Sequence, residues 1–193
     1  MNFLAHLFLS CDNEELLIGN FIADFIKQKE VADYSPAIQK GIDLHRQIDT
    51  YTDQHPLVLQ GVHRLRPFHH KYAPVVIDIL FDYLLANNWS RYSGQSLDDF
   101  AHYIYDILND RMKDLPLKLQ KRLPEMIEAN WLQAYGTDEG ILFTFKKMDE
   151  RTSFPSDFKS ALKHLKLDYE AYETEFNLFF PDLIQYVDSN CKC

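Results

Sequence analysis

The sequence predicts an all-α protein, a single-domain helical bundle over residues 1–193. Three observations carry that prediction. Only 6 Gly and 8 Pro punctuate the 193 residues, and the rest of the composition favours helices over a turn-rich β fold. Apolar residues recur at helical spacing, most clearly in Val75, Val76, Ile79, Leu80, Tyr83, Leu84 and Leu85. Helix starts are also legible: Asn13 before Glu14 and Glu15, and Ser35 before Pro36. With 46% hydrophobic residues the chain can bury a sizeable core, and no repeat, low-complexity linker or domain boundary interrupts it.

Taken in order, residues 2–9 form an apolar first helix whose one polar member is His6. A second helix runs from the Asn13 cap to about Lys27 on Leu16, Leu17, Phe21, Ile22 and Phe25, with Asn20 and Asp24 one turn apart. Gly19 inside it costs ~1 kcal/mol against Ala, which predicts close packing there against the helix that carries His45. That third helix opens at Ser35-Pro36 and closes at His55-Pro56. The next strong helix spans about 74–89, with Asp78 and Asp82 embedded in its apolar stripe. Helices follow over about 97–113 and 116–135, the latter closed by Gly136, and a segment over about 138–150 comes next. Another helix begins near Ser156, and a final one covers about 168–187 with Tyr172, Phe176, Phe179 and Leu183. Asp98, Asp99, His102 and Asp106 read as a solvated face, and His164 as surface.

A net charge of -9 argues against a nucleic-acid binder acting through its overall field. From Gln54 to Ile77 there is no acidic residue, while Arg64, Arg66 and Lys71 lie there with His55, His63, His69 and His70. Local chance competes with the functional reading, a surface for an anionic partner. Cys11, Cys191 and Cys193 form an odd set, so no disulfide framework and a reducing cytoplasm are expected. The N-terminus lacks a basic region and reads as mature structure, not as a signal. No window approaches the roughly 18 apolar residues of a membrane span, and no membrane partner is expected.

His45, Asp49 and Asp53 follow at four-residue steps, each about 40° around the helix from the last, so neighbours can converge on one ion. Arg46 sits beside them to meet an anion. A solvated helix face is the plain alternative. Asp24 and the pair Asp78 and Asp82 add carboxylates on two further helices, and an Asp among apolar neighbours must be paired or ligating. An oxygen-rich set with an imidazole suits Mn²⁺ or Mg²⁺, and the lack of paired cysteines disfavours structural zinc. A metal so held lowers the pKa of bound water and offsets charge on a phosphoryl oxygen. No G-x-S-x-G elbow, P-loop or G-x-G-x-x-G is present.

Several blocks carry a resemblance: Met1-Asn2-Phe3-Leu4-Ala5-His6-Leu7, Gly19-Asn20-Phe21-Ile22-Ala23-Asp24-Phe25, and Gly41-Ile42-x-x-His45-Arg46-x-Ile48-Asp49-x-x-Thr52-Asp53. Pro74-x-x-x-Asp78-x-x-x-Asp82-Tyr83-Leu84-Leu85-Ala86-x-x-Trp89 and Tyr172-Glu173-Thr174-x-Phe176-x-x-Phe179-x-Pro181 extend it. Together they resemble the acyl carrier protein phosphodiesterase family along nearly the whole chain. The resemblance implies an all-helical fold distantly like the HD phosphohydrolases. It also implies Mn²⁺- or Mg²⁺-dependent hydrolysis of holo-acyl carrier protein to apo-carrier and 4′-phosphopantetheine, with Mn²⁺ the first choice.

Roles follow as expectations. Asp24, His45, Asp49 and Asp82 hold the metal. Asp78 orients a ligand or acts as general base, and Arg46 stabilises phosphoryl charge. His6 reads more readily as a core or supporting histidine and stays an outside catalytic candidate. Carrier proteins are acidic helical bundles, so Arg64, Arg66 and Lys71 are the expected dock. Two departures from the family stand out. Phe8 occupies a position where a second His is frequent and receives no role, and Arg151 stands in an Arg run that is thin here. Two rivals remain: an HD-type phosphohydrolase of a nucleotide or other small phosphodiester, and a non-catalytic helical module that binds an acidic protein.

Overall fold

The computed structural model describes residues 1–150, 152 and 157–191. Among them every regular element is helical and no strand occurs, as the sequence predicts. The first two helices, α1 (Phe3–Phe8) and α2 (Glu14–Ile22), are joined by a turn in which Cys11 and Asp12 take positive φ, 58° and 46°. Asn13 caps α2 by accepting the Leu16 N–H at 3.0 Å, with Glu14 and Glu15 in the first turn, where the dipole favours them. The helix stops at Ile22, short of the expected Lys27, and Asp24 lies in the 3-10 turn Ala23–Phe25.

Ser35 accepts the Ile38 N–H at 3.3 Å and opens α3 (Pro36–Gln54), the helix of His45. The expected close contact is present. A Cβ on Gly19 would lie 2.1 Å from the Ile38 carbonyl oxygen, and one on Gly41 would lie 2.3 Å from that of Leu16. α2 and α3 therefore touch backbone to backbone where only glycine fits. This approach brings Asn20 of α2 beside His45 of α3.

The acid-free window holds a helix that the periodicity did not resolve, α4 (Pro56–His69). Val58, Gly61, Val62, Leu65 and His69 form its buried stripe, diluted in sequence by Gly61 and Pro67. After it come α5 (Ala73–Asn87), α6 (Leu97–Asp110), α7 (Leu117–Glu128) and α8 (Trp131–Ala134). The last two divide the expected 116–135 helix, because Asn130 adopts a left-handed conformation with φ 43°. Gly136, expected as the cap, has no positive φ. The fold ends with α9 (Asp138–Asp149), α10 (Ala161–Leu167) and α11 (Tyr169–Cys191), and buried Phe176, Phe179 and Phe180 of α11 pack around Phe81 and Tyr92.

Other expectations fare unevenly. Asp98, Asp99, His102 and Asp106 are exposed, as read. His164 is more than surface, for its ring stacks on Phe68 and its Nδ1 is 3.2 Å from Nε2 of buried His69. Cys11 is disulfide-bonded, so cysteine usage gives no support to the expected reducing compartment. Arg151 and the helix start near Ser156 lie outside the described residues. No described helix is long and apolar enough to cross a membrane.

Candidate metal centre

His6 and His45 meet from α1 and α3 with their rings stacked, centroids 3.9 Å apart. Asn20, 1% exposed on α2, organises both. Its Nδ2 donates to the His6 carbonyl oxygen at 2.7 Å and to Ser10 Oγ at 3.1 Å, which fixes the amide's orientation. The Oδ1 is left to accept, and it faces Nδ1 of His6 at 2.8 Å and Nδ1 of His45 at 3.2 Å. The Asn20 carbonyl oxygen also lies 2.9 Å from His45 Nδ1. Both imidazoles therefore carry Nδ1–H, and both turn Nε2 toward the same small volume.

That volume is lined by acceptors. His6 Nε2 is 3.1 Å from Asp49 Oδ1, and His45 Nε2 is 3.3 Å from Asp49 Oδ2 and 3.3 Å from Asp24 Oδ1. Burial pushes the His6 pKa down to about 4, so its ring is neutral with one proton and two acceptor neighbours. Asn20 holds that proton. With the proton on Nδ1, the Nε2 lone pair faces the Asp49 carboxylate, an arrangement that a cation between them would satisfy. His45 supplies part of the charge. Burial opposes its protonation, but Asp24 and Asp49 raise its pKa to about 9. The hydrogen bond to His45 holds Asp24 below its usual range. Burial would raise Asp49, yet both histidines and the Met1 ammonium bring it well below.

His6, His45 and Asp49 each offer a ligand atom, all within 4.8 Å of one another, the one such group of at least three among the described residues. Two imidazole nitrogens and a carboxylate, each histidine oriented by a hydrogen bond on its other nitrogen, make a donor set able to hold a divalent ion. Of the expected ligands, the structure thus gathers Asp24, His45 and Asp49. It adds His6, which the sequence placed in a supporting role.

Asp82 lies elsewhere. Fully buried, it accepts N–H groups at the start of α1: Leu4 at 2.8 Å, Asn2 at 3.3 Å and Ala5 at 3.4 Å. It serves α1 as an N-terminal cap supplied from α5, and burial raises its pKa to about 7. Asp78 pairs with the Met1 ammonium at 2.9 Å, and the same ammonium is 3.7 Å from Asp49. Burial raises Asp78 against that pairing. The expected carboxylates of α5 thus anchor the N-terminal segment that carries His6. Met1, Ser10 and Asn20 were given no part in the site from sequence. A buried asparagine on an apolar face was the one available signal.

Three of the four expected cations also have partners. Arg46 is exposed and pairs with Asp43 at 3.2 Å, away from the histidines. Arg64 forms two hydrogen bonds to buried Glu175, at 2.6 and 3.0 Å, and lies over the Tyr172 ring. Arg66 is exposed, and exposed Lys71 lies over Tyr72.

A family model described as acyl carrier protein phosphodiesterase matches residues 1–183. The chain belongs to that family. A relative in Photorhabdus laumondii, named acyl carrier protein phosphodiesterase, is 30% identical over 190 residues, 98% of this chain and 96% of its own. Relatives of the same name in Yersinia enterocolitica and Klebsiella pneumoniae are 29% and 28% identical over 95% and 98% of this chain. They align over 96% and 98% of their own lengths. No solved structure matches. In this member of the acyl carrier protein phosphodiesterase family, the first three of the quoted sequence blocks meet in space through His6, Asn20, Asp24, His45 and Asp49.

Proposed function

We propose that this chain, acting as one hydrolase domain over residues 1–193, cleaves the phosphodiester of holo-acyl carrier protein, giving apo-carrier and 4′-phosphopantetheine. Family membership supports the substrate. The convergence of ligand atoms of His6, His45 and Asp49 within 4.8 Å of one another supports a metal in the reaction, and it is the observation that carries the reading. His6, His45 and Asp49 are the ligands we assign, with Asp24 beside them. The two imidazoles favour Mn²⁺ over Mg²⁺. The ion, when bound, supplies an acidified water and charge stabilisation for the phosphoryl oxygens. Water adds to phosphorus, the bond from phosphorus to the carrier's oxygen breaks, and that oxygen takes up a proton. Asp24, the exposed carboxylate of the group, is placed to accept a proton from water on the solvent side. Asp78 positions Asp49 through the shared Met1 ammonium, and Asp82 supports α1.

For the acidic carrier, Arg66 and Lys71 form the dock in this reading, with Arg64 holding α4 to α11 through Glu175. A cytoplasmic location is part of the proposal and rests on the carrier protein as substrate. The test is the intact mass of holo-acyl carrier protein after incubation with the purified protein, with and without Mn²⁺. Loss of the phosphopantetheine mass only with the ion is expected. An unchanged mass, with the enzyme folded and metal-loaded, overturns the reading and turns attention to small phosphodiesters.

A further inference from the structure

Beside Asp24 opens a cavity of about 240 Å³ between α1, the 23–25 turn and the α7–α8 corner. Phe3, Phe25 and Trp131 wall it, and Lys118 and Arg122, one turn apart on α7, line it together with Asp24. Neither cation forms a salt bridge among the described residues, although the chain has a net charge of -9. Lys118 instead lies 5.7 Å from the centroid of the Phe25 ring. Two cations without carboxylate partners, next to a carboxylate-rich metal centre, offer charge to an anion that reaches the centre from this side. Of the cations predicted from sequence, Arg46 is paired with Asp43 and Arg64 with Glu175.

The geometry points to this cavity as the seat of the phosphopantetheine arm, with Lys118 and Arg122 gripping its phosphate and the aromatic walls holding the adjoining branched carbon chain. This rests on the function proposed above and specifies which side of the metal centre the prosthetic group occupies. The size agrees with a segment of a slender arm. Clefts that enclose whole drug-sized ligands run to roughly 300–1,000 Å³. A doubly charged phosphate monoester product would feel the two cations more strongly than the singly charged diester does.

The test uses the full chain loaded with Mn²⁺ and compares wild type with Lys118→Gln/Arg122→Gln. Titration with 4′-phosphopantetheine and with pantetheine, which lacks the phosphate, is followed by tryptophan fluorescence and calorimetry. Loss of two charge-assisted contacts is expected to weaken 4′-phosphopantetheine binding on the order of 10- to 100-fold. Pantetheine binding and Mn²⁺ affinity should stay unchanged, and KM for the holo-carrier should rise. Trp131→Phe should abolish the fluorescence response, because the other tryptophan, Trp89, is buried away from the cavity. If wild type cleaves the carrier while the double variant keeps its affinity for 4′-phosphopantetheine, the cavity assignment is overturned and the function stands. If wild type cleaves no carrier, both fall.

Discussion

Two pairs of histidines meet inside this protein, and they differ in what surrounds them. His6 and His45 stack at 3.9 Å with Asp24 and Asp49 against their outer nitrogens. His69 and His164 meet edge to face, nitrogen to nitrogen at 3.2 Å, and among the described residues no carboxylate is a hydrogen-bond or ion-pair partner of either. The first pair is split electrically, His6 pushed down by burial to about 4 and His45 drawn up by two carboxylates to about 9. Both members of the second pair are lowered, His69 by burial and its neighbour, His164 by burial and Lys163. An imidazole pair without bound carboxylates is therefore held toward its neutral form. Carboxylates turn it into a place for positive charge.

The largest test of that difference is a matched pair of substitutions. His45→Gln should lower kcat/KM on the order of 10³-fold or more, because charge stabilisation worth several kcal/mol leaves with the ligand. Mn²⁺ binding by calorimetry should fall with it, while circular dichroism keeps its helical signal. His164→Gln should leave both activity and metal affinity at wild-type values. Loss of Mn²⁺ binding in the His164 variant would erase the distinction drawn here.

A smaller effect is expected at Asn20, which touches both rings of the first pair and has no counterpart at the second. Asn20→Ala removes the acceptor of the His6 Nδ1–H and one of the two at His45, whose Nδ1 keeps the Asn20 backbone carbonyl, so His6 is freed to change tautomer. Metal affinity should drop about 10- to 100-fold, the usual size for groups that orient ligands. Asn20→Asp keeps the acceptor and should recover part of that affinity. Equal losses in the two variants would mean that Asn20 acts through packing alone.

Much of this could be read from the chain, and the failures share a cause. Gly19 announced a close helix contact because glycine inside a helix needs a reason, and Ser35-Pro36 announced a start because the cap is local. Asp24, His45 and Asp49 were legible because one of their separations is a single helical turn. Asp82 was read as a ligand and instead caps α1, since a carboxylate in an apolar helix looks the same whether its partner is an ion or a backbone 78 residues away. Arg64 read as a free cation, for Glu175 lies 111 residues downstream. His6 was undervalued on the same ground: only the α2–α3 contact through Gly19 and Gly41 brings Asn20 and Asp49 to it. Local chemistry shows in a sequence, whereas a partner supplied by tertiary packing does not.

The smallest expected effect separates the two pairs by the sign of their pH dependence. His69 is 1% exposed and its Nδ1 has no hydrogen-bond partner, so the folded state prefers it neutral, as the lowered pKa reflects. The unfolded chain binds protons near pH 6.5 and the folded chain resists them. Its contribution to stability is complete above that pH and is lost as pH falls below it, by at most about 1.4 kcal/mol per pH unit for one group. His164 adds to this slope. Asp157 opposes it slightly, while His70 beside His69 and Lys163 beside His164 reinforce it. His45 has the opposite sign: raised to about 9, it favours the metal-free fold below pH 6.5 and loses that contribution as pH climbs through 9. Urea denaturation in chelator between pH 7 and 5 should therefore show a shallower acid decline for His69→Gln than for wild type. A parallel decline in the two proteins would mean that the second pair is already protonated in the fold, and that lacking carboxylates does not keep it neutral.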